Sequence, residues 1–142
     1  MNLSQHFSLN EFCASEMARK NIDNTPPPDI IENLKRTAAL MEQVRLILCQ
    51  PIYITSGYRC SALNKLVGSK PTSKHVQGLA CDFKSPAYGT PEQICRKLAE
   101  SNLKYDQLIF EFNSWVHIGL GEKCRMQVLT INQYGTFTGI HP

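Results

Sequence analysis

Thr72-Ser73-Lys74-His75-Val76-Gln77-Gly78-Leu79-Ala80-Cys81-Asp82-Phe83 is the stretch on which the reading of the fold turns. A polar turn opens it, and Leu79 to Lys84 reads as a strand. His75 and Asp82 stand seven residues apart within it. A single straight strand would separate them by roughly 23 Å and turn them to opposite faces. A single straight helix would leave them roughly 10 Å apart along its axis. Neither lets both reach one metal ion at about 2 Å. They converge only where the chain bends, and Gly78 is the residue that permits a bend.

Working outward, Ile52-Tyr53-Ile54-Thr55 predicts a short strand that Ser56-Gly57 ends. Before it, Asp29 to Cys49 carries Ile30, Ile31, Leu34, Ala38, Met41, Val44, Ile47 and Leu48 at helical spacing, with Pro51 just beyond. Asn24-Thr25-Pro26-Pro27-Pro28 is a stiff connector, and Ser8-Leu9-Asn10-Glu11 is a capping-box pattern that predicts a short helix within residues 8–20. Downstream, a Pro/Gly-containing loop precedes a helix from about Pro91 to Ser101. Strands are then expected at Gln107–Phe112, Val116–Leu120 and Arg125–Ile131, with a last short piece near Phe137. Helices early and strands late predict an α+β fold with a mainly antiparallel sheet.

The 142 residues suit a single domain spanning 1–142, and 42% hydrophobic with 19% charged residues is a globular composition. Fifteen basic against 12 acidic residues give a net charge of +3, with no Lys/Arg-rich run. Nucleic acid is therefore not an expected partner. No run approaches the ~18 apolar residues of a membrane span. The N-terminus lacks the basic-then-apolar layout of a secretory signal, so synthesis in the cytoplasm is expected. Cysteines at 13, 49, 60, 81, 95 and 124 include no CxxC pair and are expected as reduced thiols.

Of four histidines, His6 and His141 lie near the ends and are expected in solvent, whereas His75 follows the polar turn and His117 lies inside a predicted strand. Around them run Thr55-Ser56-Gly57-Tyr58-Arg59-Cys60 with Asn64, then Ser73-Lys74-His75 with Gly78, Ala80 and Asp82, then Trp115-Val116-His117. In that order the series resembles the zinc peptidases of the D-alanyl-D-alanine carboxypeptidase family, most closely its small phage and bacterial, endolysin-like branch. Phe7-Ser8-Leu9-Asn10-Glu11-Phe12 and Pro26 extend the likeness over roughly residues 6 to 120. The resemblance implies an α+β fold of the hedgehog/D,D-peptidase type with its site on an antiparallel sheet. It implies His75, Asp82 and His117 as zinc ligands, a set that leaves a fourth position for water, as catalytic zinc requires. It further implies that Arg59 faces the substrate carbonyl or carboxylate.

One position departs from the family pattern. Many relatives place Asp or Glu three residues before the last histidine, where this chain has Ser114. Glu111 is the nearest carboxylate upstream. A hairpin with the three-residue loop Asn113-Ser114-Trp115 would set it directly opposite His117, whereas a two-residue Asn113-Ser114 turn would point it away. Glu111 is thus the expected general base, with Asp106 second. The activity implied is zinc-dependent hydrolysis of peptidoglycan stem peptides next to D-alanine. The alternatives are a zinc-stabilised wall-binding or virion-assembly domain without turnover, and a structural phage protein without metal. A phage lysis system is one route for such a chain to the cell wall.

Overall fold

The computed structural model describes residues 1–14 and 21–142. Helix α1, Leu9–Cys13, starts at the capping box: Ser8 Oγ accepts from the Glu11 N–H, and the Glu11 carboxylate accepts from the Ser8 N–H. The rest of the helix-bearing stretch expected up to residue 20 falls on residues 15–20, outside the described residues. Helix α2, Pro28–Leu48, opens with Pro28 in its first turn, where a missing N–H costs nothing, and closes on left-handed Cys49. Its buried stripe contains Leu34, Ala38, Met41, Val44 and Leu48, and also a polar residue, Thr37.

Six strands form one sheet: β1 Tyr53–Ser56, β2 Ala80–Lys84, β3 Gln107–Glu111, β4 Trp115–Gly119, β5 Gln127–Asn132 and β6 Gly135–Thr138. Their order is β1-β2-β4-β3-β5-β6, antiparallel throughout except for the parallel pair β3–β5. The expected α+β class with a mainly antiparallel sheet is thus the observed one. Two short elements were not expected: α3, Ser61–Leu66, and a 3₁₀ turn, Lys74–Gln77. Helix α3 begins at Cys60 without a side-chain cap, so it carries no start signal. Helix α4, Pro91–Glu100, does carry one, a Thr90–Gln93 capping box.

Alternation along the strands divides the sheet into two faces. Cys81 and Phe83 of β2, Leu108 and Phe110 of β3, and Val116 and Ile118 of β4 are buried with Leu34, Met41 and Val44 of α2 and Ile94 and Leu98 of α4. Burial of this kind stabilises by about 1.5–3 kcal/mol per large side chain and pins the register, because a one-residue slip would exchange the faces. The opposite face carries Asp82, Ile109, Glu111, Trp115 and His117. All six thiols are free, with Cys81 and Cys95 in the core. Among the described residues, no helix is long and apolar enough to cross a membrane.

Candidate metal centre

His75 sits on the 3₁₀ turn, whose N-cap Ser73 accepts the His75 N–H through its hydroxyl. Gly78 ends the turn in the left-handed region (φ 70°), and its N–H returns to the His75 carbonyl. This is the bend that two donors seven residues apart require. Helix α2 holds the turn from behind. Thr37 Oγ1 donates to the Gly78 carbonyl at 2.7 Å, and Asn33 Nδ2 donates to the Gln77 carbonyl at 2.9 Å. A buried hydroxyl in an apolar stripe thus has a partner, as burial demands.

The ring of His75 is oriented by Gly57. Nδ1–H donates to the Gly57 carbonyl at 2.7 Å, which leaves the Nε2 lone pair free to face the sheet. Gly57 is itself wedged against α1. A methyl group there would overlap the Phe12 carbonyl oxygen and lie 2.8 Å from Phe12 Cα, while the next residue, Tyr58, donates its N–H to that carbonyl. Buried Asn24 ties the same corner together: Nδ2 donates to the Cys13 and Tyr58 carbonyls, and Oδ1 accepts from the Cys60 N–H.

Asp82 and His117 face each other directly across β2 and β4. His75 Nε2, Asp82 Oδ1 and His117 Nδ1 form a triangle with sides of 2.9, 3.3 and 3.3 Å. Ligand atoms at the zinc–nitrogen distance in a tetrahedron stand about 3.3 Å apart, so this donor set fits a zinc ion that leaves a fourth position open. The three residues form a buried group able to hold a metal ion. Burial pushes the His75 pKa down. Burial also opposes charge on Asp82 and His117, yet His75 and His117 prevail on Asp82, and Asp82 with Glu111 prevails on His117. The Asp82 carboxyl lies below the usual carboxylate range, and the His117 pKa is raised.

Glu111 lies on the same face, but not in the register expected. The loop is Phe112-Asn113-Ser114, so Glu111 pairs with Trp115, and His117 stands opposite Ile109. The displacement is two residues, which preserves the face, and Glu111 Oε1 reaches His117 Nδ1 diagonally at 3.7 Å. Phe112 and Asn113 both adopt left-handed conformations (φ 51° and 53°), which closes the loop one residue earlier than expected. Burial raises the Glu111 pKa, as does the Asp82 charge, against the opposing pull of His117 and Arg59.

Arg59 follows β1, where a register shift between Ile54 and Ser56 turns the strand end. Its backbone N–H donates to the His75 carbonyl, and Nη1 lies 3.5 Å from Ser56 Oγ. Its Nε is buried without a hydrogen-bond partner among the described residues. Burial lowers the Arg59 pKa, while the charges of Asp82 and Glu111 pull it back up. The guanidinium thus stands within the field of two carboxylates of the site.

Asp106, the second candidate base, is committed elsewhere: its two oxygens accept a fork from Arg125 at 2.7 and 2.9 Å. Ser114 is exposed and turns its hydroxyl to the Phe112 carbonyl. Sequence reasoning missed the supporting residues Gly57, Asn24 and Thr37. Gly57 stood in the quoted motif without its supporting role, and Thr37 left a signal as a polar residue in register with Leu34 and Met41. The family model described as Peptidase M15 matches residues 5–119, which takes in all of these groups up to β4 and leaves β5 and β6 outside. No curated protein matches the chain.

Proposed function

The chain belongs to the Peptidase M15 family, a family of zinc-dependent metallopeptidases, and from that premise we propose that it hydrolyses peptidoglycan stem peptides at a bond next to D-alanine. His75, Asp82 and His117 are assigned as the zinc ligands, Glu111 as the general base and Arg59 as the oxyanion partner, within one catalytic domain spanning residues 1–142. The observation that carries this reading is the compact His-Asp-His triangle with a carboxylate 3.7 Å from one corner.

Zinc held by the triangle supplies Lewis acidity, which polarises a carbonyl and acidifies water. Glu111 takes the proton of the attacking water at a carboxylate oxygen and later delivers it to the nitrogen of the leaving amine. A carboxyl with a raised pKa suits the first half of that task, because its carboxylate takes a proton more readily than an ordinary glutamate. Arg59 offers its guanidinium to the carbonyl oxygen as negative charge gathers there. Gly57 and Thr37 hold the His75 turn still while this happens.

Mass spectrometry of purified stem peptides after incubation with zinc-loaded protein tests the proposal. The expected product has lost a terminal D-alanine or has been cut beside one. Intact peptides after incubation with protein shown to hold zinc would overturn it.

A further inference from the structure

The sheet face that carries the metal group continues past it, across β3 to β5 and β6. In the parallel β3–β5 pairing Ile109 stands beside Leu129 and Glu111 beside Ile131, so these four side chains share one face. Ile109 also pairs with His117, which makes that face the metal's. The alternate residues of β5 belong to the other side: Val128 packs against the core, and Thr130 is buried. Leu129 and Ile131 are half-buried, and their neighbours on β6, Thr138 and Thr136, are exposed at the sheet edge. Ile109, Leu129 and Ile131 therefore form an apolar strip that begins at the proposed base and runs away from the metal. Leu129 and Ile131 come from beyond the family match.

From this placement we infer that the strip selects the residue on the leaving side of the scissile bond and takes an uncharged, apolar side chain. The inference rests on the peptidase reading, in which Glu111 returns its proton to the leaving nitrogen. That nitrogen must then come within about 3 Å of the Glu111 carboxylate. The side chain carried on the next carbon reaches Ile131, whose strand lies about 5 Å from that of Glu111.

Charge along the strip agrees. Residues 126–142 contain no Asp, Glu, Lys or Arg, so β5 and β6 bring no counter-charge. His141 turns its ring to Phe137, which pairs with Thr130 on the core side. An acidic side chain on the strip would lose water, find no cation on either strand and face the Glu111 carboxylate. An apolar side chain would gain by leaving water.

Two measurements test the strip. Given stem peptides whose leaving residue is D-alanine or D-glutamate, zinc-loaded wild type should favour D-alanine by at least about 100-fold in kcat/KM. Ile131→Lys should keep its zinc and narrow that ratio at least about tenfold, whereas Ile131→Val should leave it within about threefold. The second measurement needs no turnover. In zinc-loaded Glu111→Gln, a D-alanine-terminated stem peptide should shift the NMR methyl signals of Ile109 and Ile131 saturably, while that of Ile94, in the core, stays in place. Hydrolysis with an unchanged ratio in Ile131→Lys, or with no shift at Ile109 and Ile131, would overturn the strip alone. Saturable shifts at both methyls in a protein whose wild type hydrolyses no peptide would overturn the peptidase reading alone. Neither shift nor hydrolysis would overturn both.

Discussion

The turn that carries His75 and the hairpin that carries Glu111 are held in opposite ways. The turn is anchored from three sides: by Gly57 on its ring, by Thr37 and Asn33 on its carbonyls, and by Arg59 on its backbone. The hairpin tip is held by the sheet instead: Glu111 pairs with Trp115 of β4 on one side and Ile131 of β5 on the other, and the Phe112 N–H donates to the Ile131 carbonyl before a loop with two left-handed non-glycine residues. The His75 donor thus rests on a turn braced by helix and loop contacts, whereas the proposed base rests on the strand ladder. The contrast teaches that metal affinity and turnover should respond to different substitutions.

The largest effect should come from the triangle itself. Asp82→Ala removes the corner that both imidazoles face, so zinc content by elemental analysis should fall from about one per chain to near zero. Full zinc in that variant would mean that the triangle is not the metal site. Glu111→Gln should separate the two regions most cleanly. It should retain zinc and fold while losing at least about 100-fold in turnover on stem peptides. Equal loss of zinc would show that tip and turn are one unit after all.

Gly57→Ala sharpens the comparison from the other side. The added methyl group must displace Phe12 or the Gly57 carbonyl, which should cost about 1–3 kcal/mol in denaturant unfolding. Loss of the His75 hydrogen bond should also weaken zinc binding by about 10–100-fold. Acid gives the smallest graded effect. Burial opposes the charge on His117, but Asp82 and Glu111 raise its pKa in the metal-free protein. Below that raised pKa a proton must leave before zinc enters. Affinity should therefore fall about tenfold per pH unit on acidification and level off above it, as calorimetric titrations across pH would show.

Much of the rigid region was legible in the sequence. Gly78 between His75 and Asp82 announces a bend because few other residues accept that backbone, and the structure uses it so. The hairpin was half legible. Alternation fixes the face of Glu111 but not its partner, and left-handed Phe112 is not a conformation that an aromatic residue advertises. Asp106 stood as the second candidate because a fork from Arg125, 19 residues away, leaves no local trace. The parallel seat of β5 beside β3 was hidden for the same reason: strand patterns name a face and not a neighbour.

The β2–β4 pairing has a consequence for how the chain matures. Asp82 and His117 are 35 residues apart and meet only when those two strands join. The β3–β4 hairpin is local and closes within about 1–10 μs in isolation, bringing Glu111 and His117 together first. His75 and Asp82 meet His117 only when the long loop between β2 and β4 closes, an entropic cost that makes such contacts late. No partly folded species therefore owns the complete donor set. The chain gains its capacity for tight metal binding, and with it any power to cut, as one of the last events of folding.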